Sequence, residues 1–423
     1  MARAYQNRPR RDTRKLTQFF HSHQELLLPF VDLIESSKLM IGELMGLANT
    51  ALVESVLTMS AQKLAGPKQR GRRGEDVCWH GSQRGKITLS DRKLQVRRPR
   101  LCRRGGGEVA IPAYDALQSD EAFARRVEEL AMKGVSTRDY ASVIGELAET
   151  VGVSKSSVSR EFIEASAQSL EALIGRRWDG VDLLVIYVDG VRFGDHLVLA
   201  ALGVDSEGKK HVLGVVPGAS ENLEAAVRLL EGLAERGVDP SRRYLWVIDG
   251  AKALRSAILR VYGEKQRVQR CRLHKMRNVR GELPEDLGKQ AVAVMRAAFR
   301  LEAKEGKKKL QEYARWLEKA YPGGAASLRE GLEELFTISE LGIAGSLARC
   351  LGSTNIIESP FGTVQKPMRR VRRWQDGSMV VRWVASSMLA AEKKFRRIMG
   401  YKDLWQLGPA LGRKEVKEAR QLA

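Results

Sequence analysis

One stretch constrains the fold more than any other: Leu183-Leu184-Val185-Ile186-Tyr187-Val188-Asp189-Gly190. An apolar run of strand length fits a β-strand covered on both faces, in the middle of a sheet. The Asp that closes it puts a charge where the strand is expected to surface, which costs free energy unless a partner compensates it. Further on, Tyr244-Leu245-Trp246-Val247-Ile248-Asp249-Gly250 repeats the design. Two such strands in one sheet would set two carboxylates side by side. Like charges that close repel, and a divalent cation is the usual remedy. An Asp-Gly alone is an ordinary turn; two on matched buried strands point to a site.

Around these strands the chain reads as α/β. His196–Gly203 and His211–Val216 flank the turn Ser206-Glu207-Gly208, giving an antiparallel meander with the first strand. A helix is expected over Glu221–Arg236 with Ser220 as its cap, then the second Asp strand. The helix Ala251–Tyr262 and a fifth strand, Arg267–Cys271, follow. Three strands, helix, strand, helix, strand is the order of the ribonuclease H-like fold, which holds metal ions on carboxylates. Residues 281–350 break the rhythm and read as an all-helical insertion, with Trp316 and Tyr321 as anchors. Beyond it Ser353–Ser359 supplies a third carboxylate, Glu358. Pro360 follows closely, so either the helix begins near Ser359 with Glu358 at its mouth, or any chemistry that rests on Glu358 is put in question.

The partner is indicated by charge. Lys and Arg number 72 against 51 Asp and Glu, a net +21 over 423 residues. Such a balance favours a polyanion, and nucleic acid is a better fit than an anionic membrane, since no run is long and apolar enough to span one. The first residues carry basic groups with no apolar core behind them, so no signal peptide is expected. The four scattered cysteines suit a reducing compartment, and a cytoplasmic, nucleoid-associated protein is expected. Residues 116–175 carry the sharpest binding pattern. A helix over Glu121–Met132 and another leading to Thr150 precede the turn Gly152-Val153-Ser154. A further helix then opens with Lys155, Ser156, Ser157 and Arg160. Helix, short turn and a polar, basic helix is the helix-turn-helix pattern, whose second helix enters the major groove. An ordinary helical hairpin is the plainer alternative.

The expected organisation is therefore a helical region with a basic tail at 1–70 and a small β unit at 71–115. The helix-turn-helix region covers 116–175, and the catalytic core opens at 176–280. The insertion occupies 281–350, the core closes at 351–400, and 401–423 form a tail. In the β unit, Cys78, His80 and Cys102 lack the fourth ligand of a tetrahedral zinc site; the arginines at 97, 98, 100, 103 and 104 are read as phosphate contacts.

Several separated motifs agree with one family. Asp189-Gly190, Val247–Gly250, Gln269–Lys275 with its Cys271 and His274, and Ser353–Glu358 are similar to those of the Mutator-type bacterial insertion-sequence transposases. So are Ser154–Phe162 and Arg373–Met379. The resemblance implies a ribonuclease H-like DDE catalytic domain with Asp189, Asp249 and Glu358 as metal-binding triad, and Mg²⁺ (or Mn²⁺) as cofactor. It implies Cys271, His274 and Lys366 near the active site, and double-stranded DNA, both terminal inverted repeats and target, as partner. Arg369, Arg370, Arg372 and Arg373 extend the expected DNA contacts, and a homodimer or higher oligomer on DNA is expected. A domesticated or inactive DNA-binding descendant is the competing reading. For Cys271 and His274 the sequence leaves packing as the alternative, since two further zinc ligands are not evident.

Overall fold

The computed structural model describes residues 41–68, 76–88, 93–118, 121–133, 155–218, 223–369, 371 and 374–413. The chain divides into two compact units, residues 1–127 with 137–161, and residues 128–136 with 162–423.

In the first unit, helix α1 (Ile41–Ala65) packs on a three-stranded antiparallel sheet of β1 (Val77–Thr88), β2 (Lys93–Arg103) and β3 (Glu108–Val109). Leu57 meets Ile87, Leu94 and Val96, and Ala61 meets Leu101 and Ile111. The hairpin anticipated from alternation is present, and it pairs Cys78 with Cys102 across the strands. Part of the arginine cluster is engaged internally: Arg98 and Arg100 approach Glu108 at 3.5 and 3.4 Å, and Arg98 lies over the Tyr114 ring. Helix α2 (Glu121–Met132) and helix α3 (Lys155–Ile174) follow, each beginning in this unit and ending in the second. The intervening helix and turn expected between Ser136 and Ser154 lie outside the described residues.

The second unit is built on a five-stranded sheet. Strands β4 (Leu183–Phe193), β5 (His196–Asp205) and β6 (Lys210–Gly218) form the meander, and β7 (Leu245–Ile248) and β8 (Arg267–Arg270) add in parallel beside β4. The order is β6-β5-β4-β7-β8, so β4 is central. Helices α4 (Leu223–Glu235) and α5 (Lys252–Tyr262) connect the later strands.

Two cores cover the faces of this sheet, which explains the unbroken apolar run in β4. Ile186, Val188, Trp246 and Ile248 face α4 and α5 through Leu229, Leu233, Ala257 and Ile258. Val185, Tyr187, Leu245 and Val247 face the opposite way, onto α10 (Asn355–Met368) and α11 (Gly377–Glu392), through Ile357, Phe361, Val384 and Met388. Successive strand residues alternate faces. Between the two stages of the core run α6 (Arg272–Gly281), α7 (Glu285–Ala298), α8 (Ala303–Glu318) and α9 (Pro322–Arg329). These helices share a core of their own, from Met276 to Phe336. Among the described residues no helix is long and apolar enough to cross a membrane.

Three expectations need correction. Strand β4 does not end at Asp189: its pairing with β5 continues to Phe193 opposite His196, while β7 stops at Ile248, so Asp189 sits where the parallel ladder ends and the antiparallel one goes on. Helix α10 begins at Asn355 and runs through Pro360, rather than starting near Ser359. One backbone donor is lost there, but Glu358 keeps its place in the first turn. Trp316 does not anchor a core; it is 61% exposed and stacked on Tyr313, the ring centroids 5.5 Å apart.

Candidate active site

The site is assembled where the parallel ladder of β4, β7 and β8 ends, the usual side for a ligand in a sheet with parallel strands. Val188 of β4 pairs with Ile248 of β7, so the next residues, Asp189 and Asp249, lie on adjacent strands about 4.8 Å apart. Both follow residues that face α4 and α5, so by alternation both carboxylates turn toward the opposite face, the one that carries Glu358. On the other side of β7, the Cys271 N–H donates to the Ile248 carbonyl at 2.8 Å and places Cys271 just beyond β8.

Local bonds fix each group. The Gly190 N–H donates to Asp189 Oδ1 at 2.8 Å, and the Ala251 N–H to Asp249 Oδ1 at 2.9 Å at the mouth of α5. Gly250 has φ +106°, and a Cβ there would collide with Arg270 Nε. The Arg270 guanidinium thus passes directly beneath the Asp249-Gly250 turn and goes on to Glu330, bonding its carbonyl and its carboxylate at 3.1 Å each. The same carboxylate meets fully buried Lys275 at 3.1 Å. These contacts tie the helical segment to the strand end that bears Asp249.

Cys271 caps α6, its sulfur accepting from the His274 N–H at 3.5 Å and the Thr354 N–H at 3.4 Å, with the Thr354 hydroxyl oxygen 3.3 Å away. The same Thr354 hydroxyl bonds Glu358 Oε1. His274 Nε2 stands 3.7 Å from Glu358 Oε1. Thr354 is a site residue that sequence reasoning did not single out, although it lies within the Ser353–Glu358 motif.

The electrostatics report three convergent negative groups. Asp189, 7% exposed, is raised to about 7, first by burial and next by the charge of Asp249, with Glu358 adding to it. His274 is raised to about 8, chiefly by its interaction with the Cys271 sulfur, with Glu358 and Asp189 contributing and burial opposing. Burial pushes the Cys271 thiol up, but the donors from His274 and Thr354 outweigh it, and the net shift is downward. Among the described residues, Cys271, His274 and Glu358 bring a sulfur, a ring nitrogen and a carboxylate oxygen within 4.8 Å of one another.

The remaining expected residues fall outside this cluster. Lys366 is exposed on α10, about 12 Å along the helix axis from Glu358 at ~1.5 Å per residue. Arg369 is exposed just past the same helix, and Arg160 is exposed on α3. Arg370, Arg372 and Arg373 lie outside the described residues, as do the side chains of Lys155, Ser156 and Ser157.

Comparison with known proteins gives a consistent result. Residues 23–397 match the family described as "Transposase, Mutator family". The transposase for insertion sequence element IS256 in transposon Tn4001 of Staphylococcus aureus is 24% identical over 302 residues, which is 67% of this chain and 74% of that protein. The transposase for insertion sequence element ISRM5 of Rhizobium meliloti is 27% identical over 326 residues, 73% of this chain and 77% of its own. The transposase for insertion sequence element IST2 of Acidithiobacillus ferrooxidans is 28% identical over 211 residues, half of this chain and 70% of its own.

Proposed function

The chain belongs to the Mutator family of transposases, and from that premise we propose that it is the transposase of an insertion sequence. It binds the ends of its element, hydrolyses a phosphodiester there, and joins the freed 3′-hydroxyl to target DNA. The catalytic core is of the ribonuclease H-like kind, with Asp189, Asp249 and Glu358 as a DDE triad. The observation that carries this reading is the convergence of the three carboxylates. Two come from neighbouring segments of the chain just past the last parallel pair and one from the helix packed on the same face, with Asp189 driven up to about 7 by burial and by its neighbours.

The donor set fits Mg²⁺. Carboxylate oxygens are the hard ligands that Mg²⁺ takes, and a buried carboxyl raised by like charges is relieved by a cation. Ligands of a metal pair span more space than those of one ion, which accommodates three carboxylates from separate elements. When bound, divalent metal supplies activation of the attacking oxygen and stabilisation of the leaving oxygen. The chain's own residues hold the frame. The Gly190 and Ala251 N–H groups orient the two aspartates, Arg270 supports the turn behind Asp249, and Thr354 fixes the Glu358 rotamer.

DNA addressing is assigned to the basic first half, with α3 as the second helix of a helix-turn-helix and Arg160 on its exposed surface. A duplex carrying the element's own inverted repeats tests the whole proposal. With Mg²⁺ the wild-type protein nicks and joins those ends. Asp189→Asn, Asp249→Asn and Glu358→Gln each bind them and leave them uncut. Near-normal strand transfer by any one of the three would remove that residue from the triad.

A further inference from the structure

Cys271, His274 and Glu358 form a donor set that the three-carboxylate site does not require. As a helix cap, sulfur is a poor choice: Ser, Thr, Asp and Asn make the shorter, stronger bonds at this position. Yet the Cys271 sulfur collects two backbone N–H groups at the N-terminus of α6. Those donors and the helix dipole suit a thiolate. Beside it, the Nδ1 atom of His274 is sealed from solvent without a well-formed hydrogen bond, and the ring interacts chiefly with the Cys271 sulfur. Glu358 completes the group, its Oε1 3.7 Å from His274 Nε2.

We infer that these three side chains form a second metal site, selective for Zn²⁺, which shares Glu358 with the catalytic carboxylates. Thiolate, imidazole and carboxylate together are a zinc donor set, whereas Mg²⁺ takes oxygen and rejects sulfur. The ligand atoms already lie within 4.8 Å of one another. Tetrahedral zinc with bonds of about 2.0–2.3 Å needs them roughly 3–4 Å apart, so rotamer adjustments suffice. On binding, the Cys271 thiol releases its proton to solvent, and the fourth position is left to water. Zinc held here draws Glu358 away from Asp189 and Asp249. That consequence, though not the site itself, rests on the triad reading.

Two binding measurements on the full chain test the proposal without relying on DNA cleavage. Co²⁺ replaces Zn²⁺ as a spectroscopic probe, since a sulfur–Co²⁺ bond gives a near-ultraviolet charge-transfer band. The band is expected in the wild type and in the Asp189→Asn/Asp249→Asn double variant. It should be lost in Cys271→Ser, in which the hydroxyl still caps α6. A band that is absent from the wild type, or that survives in Cys271→Ser, overturns the site. In the second measurement, Mn²⁺ bound to the protein is followed by electron paramagnetic resonance as Zn²⁺ is added. One equivalent of Zn²⁺ should weaken Mn²⁺ binding at least tenfold in the wild type and leave it unchanged in Cys271→Ser. Equal effects in both proteins overturn the sharing of Glu358. Mn²⁺ that fails to bind at all counts against the triad instead, with the Co²⁺ result still deciding the zinc site.

Discussion

Replacing Asp189 with Asn should stabilise the metal-free protein, and the gain should depend on pH in a defined way. In the folded chain the Asp189 carboxyl is raised from 3.8 to about 7, by burial first and by Asp249 second. A group with a raised acid pKa favours the protonated form when folded, so the penalty appears as pH rises above the unfolded value near 4. It is complete once pH passes about 7, and constant beyond. A gap of about three pH units at 1.36 kcal/mol each corresponds to ~4 kcal/mol at pH 8. At pH 5 the same linkage leaves less than about 2 kcal/mol. Asn keeps the size and the acceptor for the Gly190 N–H, and it removes the charge. Thermal unfolding in chelator at pH 8 should therefore show the variant melting roughly 5–10 °C above the wild type, at about 2–4 °C per kcal/mol with some loss to relaxation. The difference should shrink by more than half at pH 5. Added Mg²⁺ at pH 8 should raise the wild type and barely move the variant. Coincident melting at pH 8, or a difference that is the same at both pH values, would refute the picture of an uncompensated carboxylate.

Other consequences are simpler to state. Gly250→Ala meets Arg270 and a backbone at φ +106°, so it should cost more than ~2 kcal/mol and reduce cleavage at least tenfold; a variant as stable as the wild type would deny the guanidinium its supporting role. Trp316→Ala, at a position 61% exposed, should change stability by no more than ~0.5 kcal/mol, and a drop of several degrees in melting would restore the core-anchor view. Arg160→Ala should weaken binding to element ends and lower the slope of log affinity against log salt by about one, if the side chain meets a phosphate. An unchanged slope excludes that contact.

The parts of the fold written in short-range pattern were legible from the sequence. The apolar runs at 183–188 and 244–248 and the meander between them required only periodicity and turn chemistry. The hairpin at β1 and β2 was legible for the same reason. What pattern did not carry was long-range placement. Nothing near Arg270 in the sequence says that its side chain passes beneath Gly250 or reaches Glu330. Thr354 reads as a plain residue until α10 sets it between Cys271 and Glu358. That Glu358 lies beside Cys271 and His274 was invisible because it arrives from a helix on the far side of the insertion. Pro360 was misread because local propensity argues against a proline in a helix interior, and packing of Pro360 and Phe361 in the core overrides it.

Because α10 and α11 supply one whole wall of the sheet, Glu358 and the cover for Val185, Tyr187, Leu245 and Val247 arrive together. A ribosome must pass both helices before the nascent sheet can bury that face. A stop codon or frameshift ahead of Asn355 therefore does more than delete one carboxylate; it leaves an adhesive apolar surface that invites aggregation and proteolysis. Damaged copies of this kind would be cleared rather than persist as proteins that occupy the ends and block the intact enzyme. On the function proposed above, a point change at Asp189, Asp249 or Glu358, which spares the wall, is the lesion that would yield such a competitor.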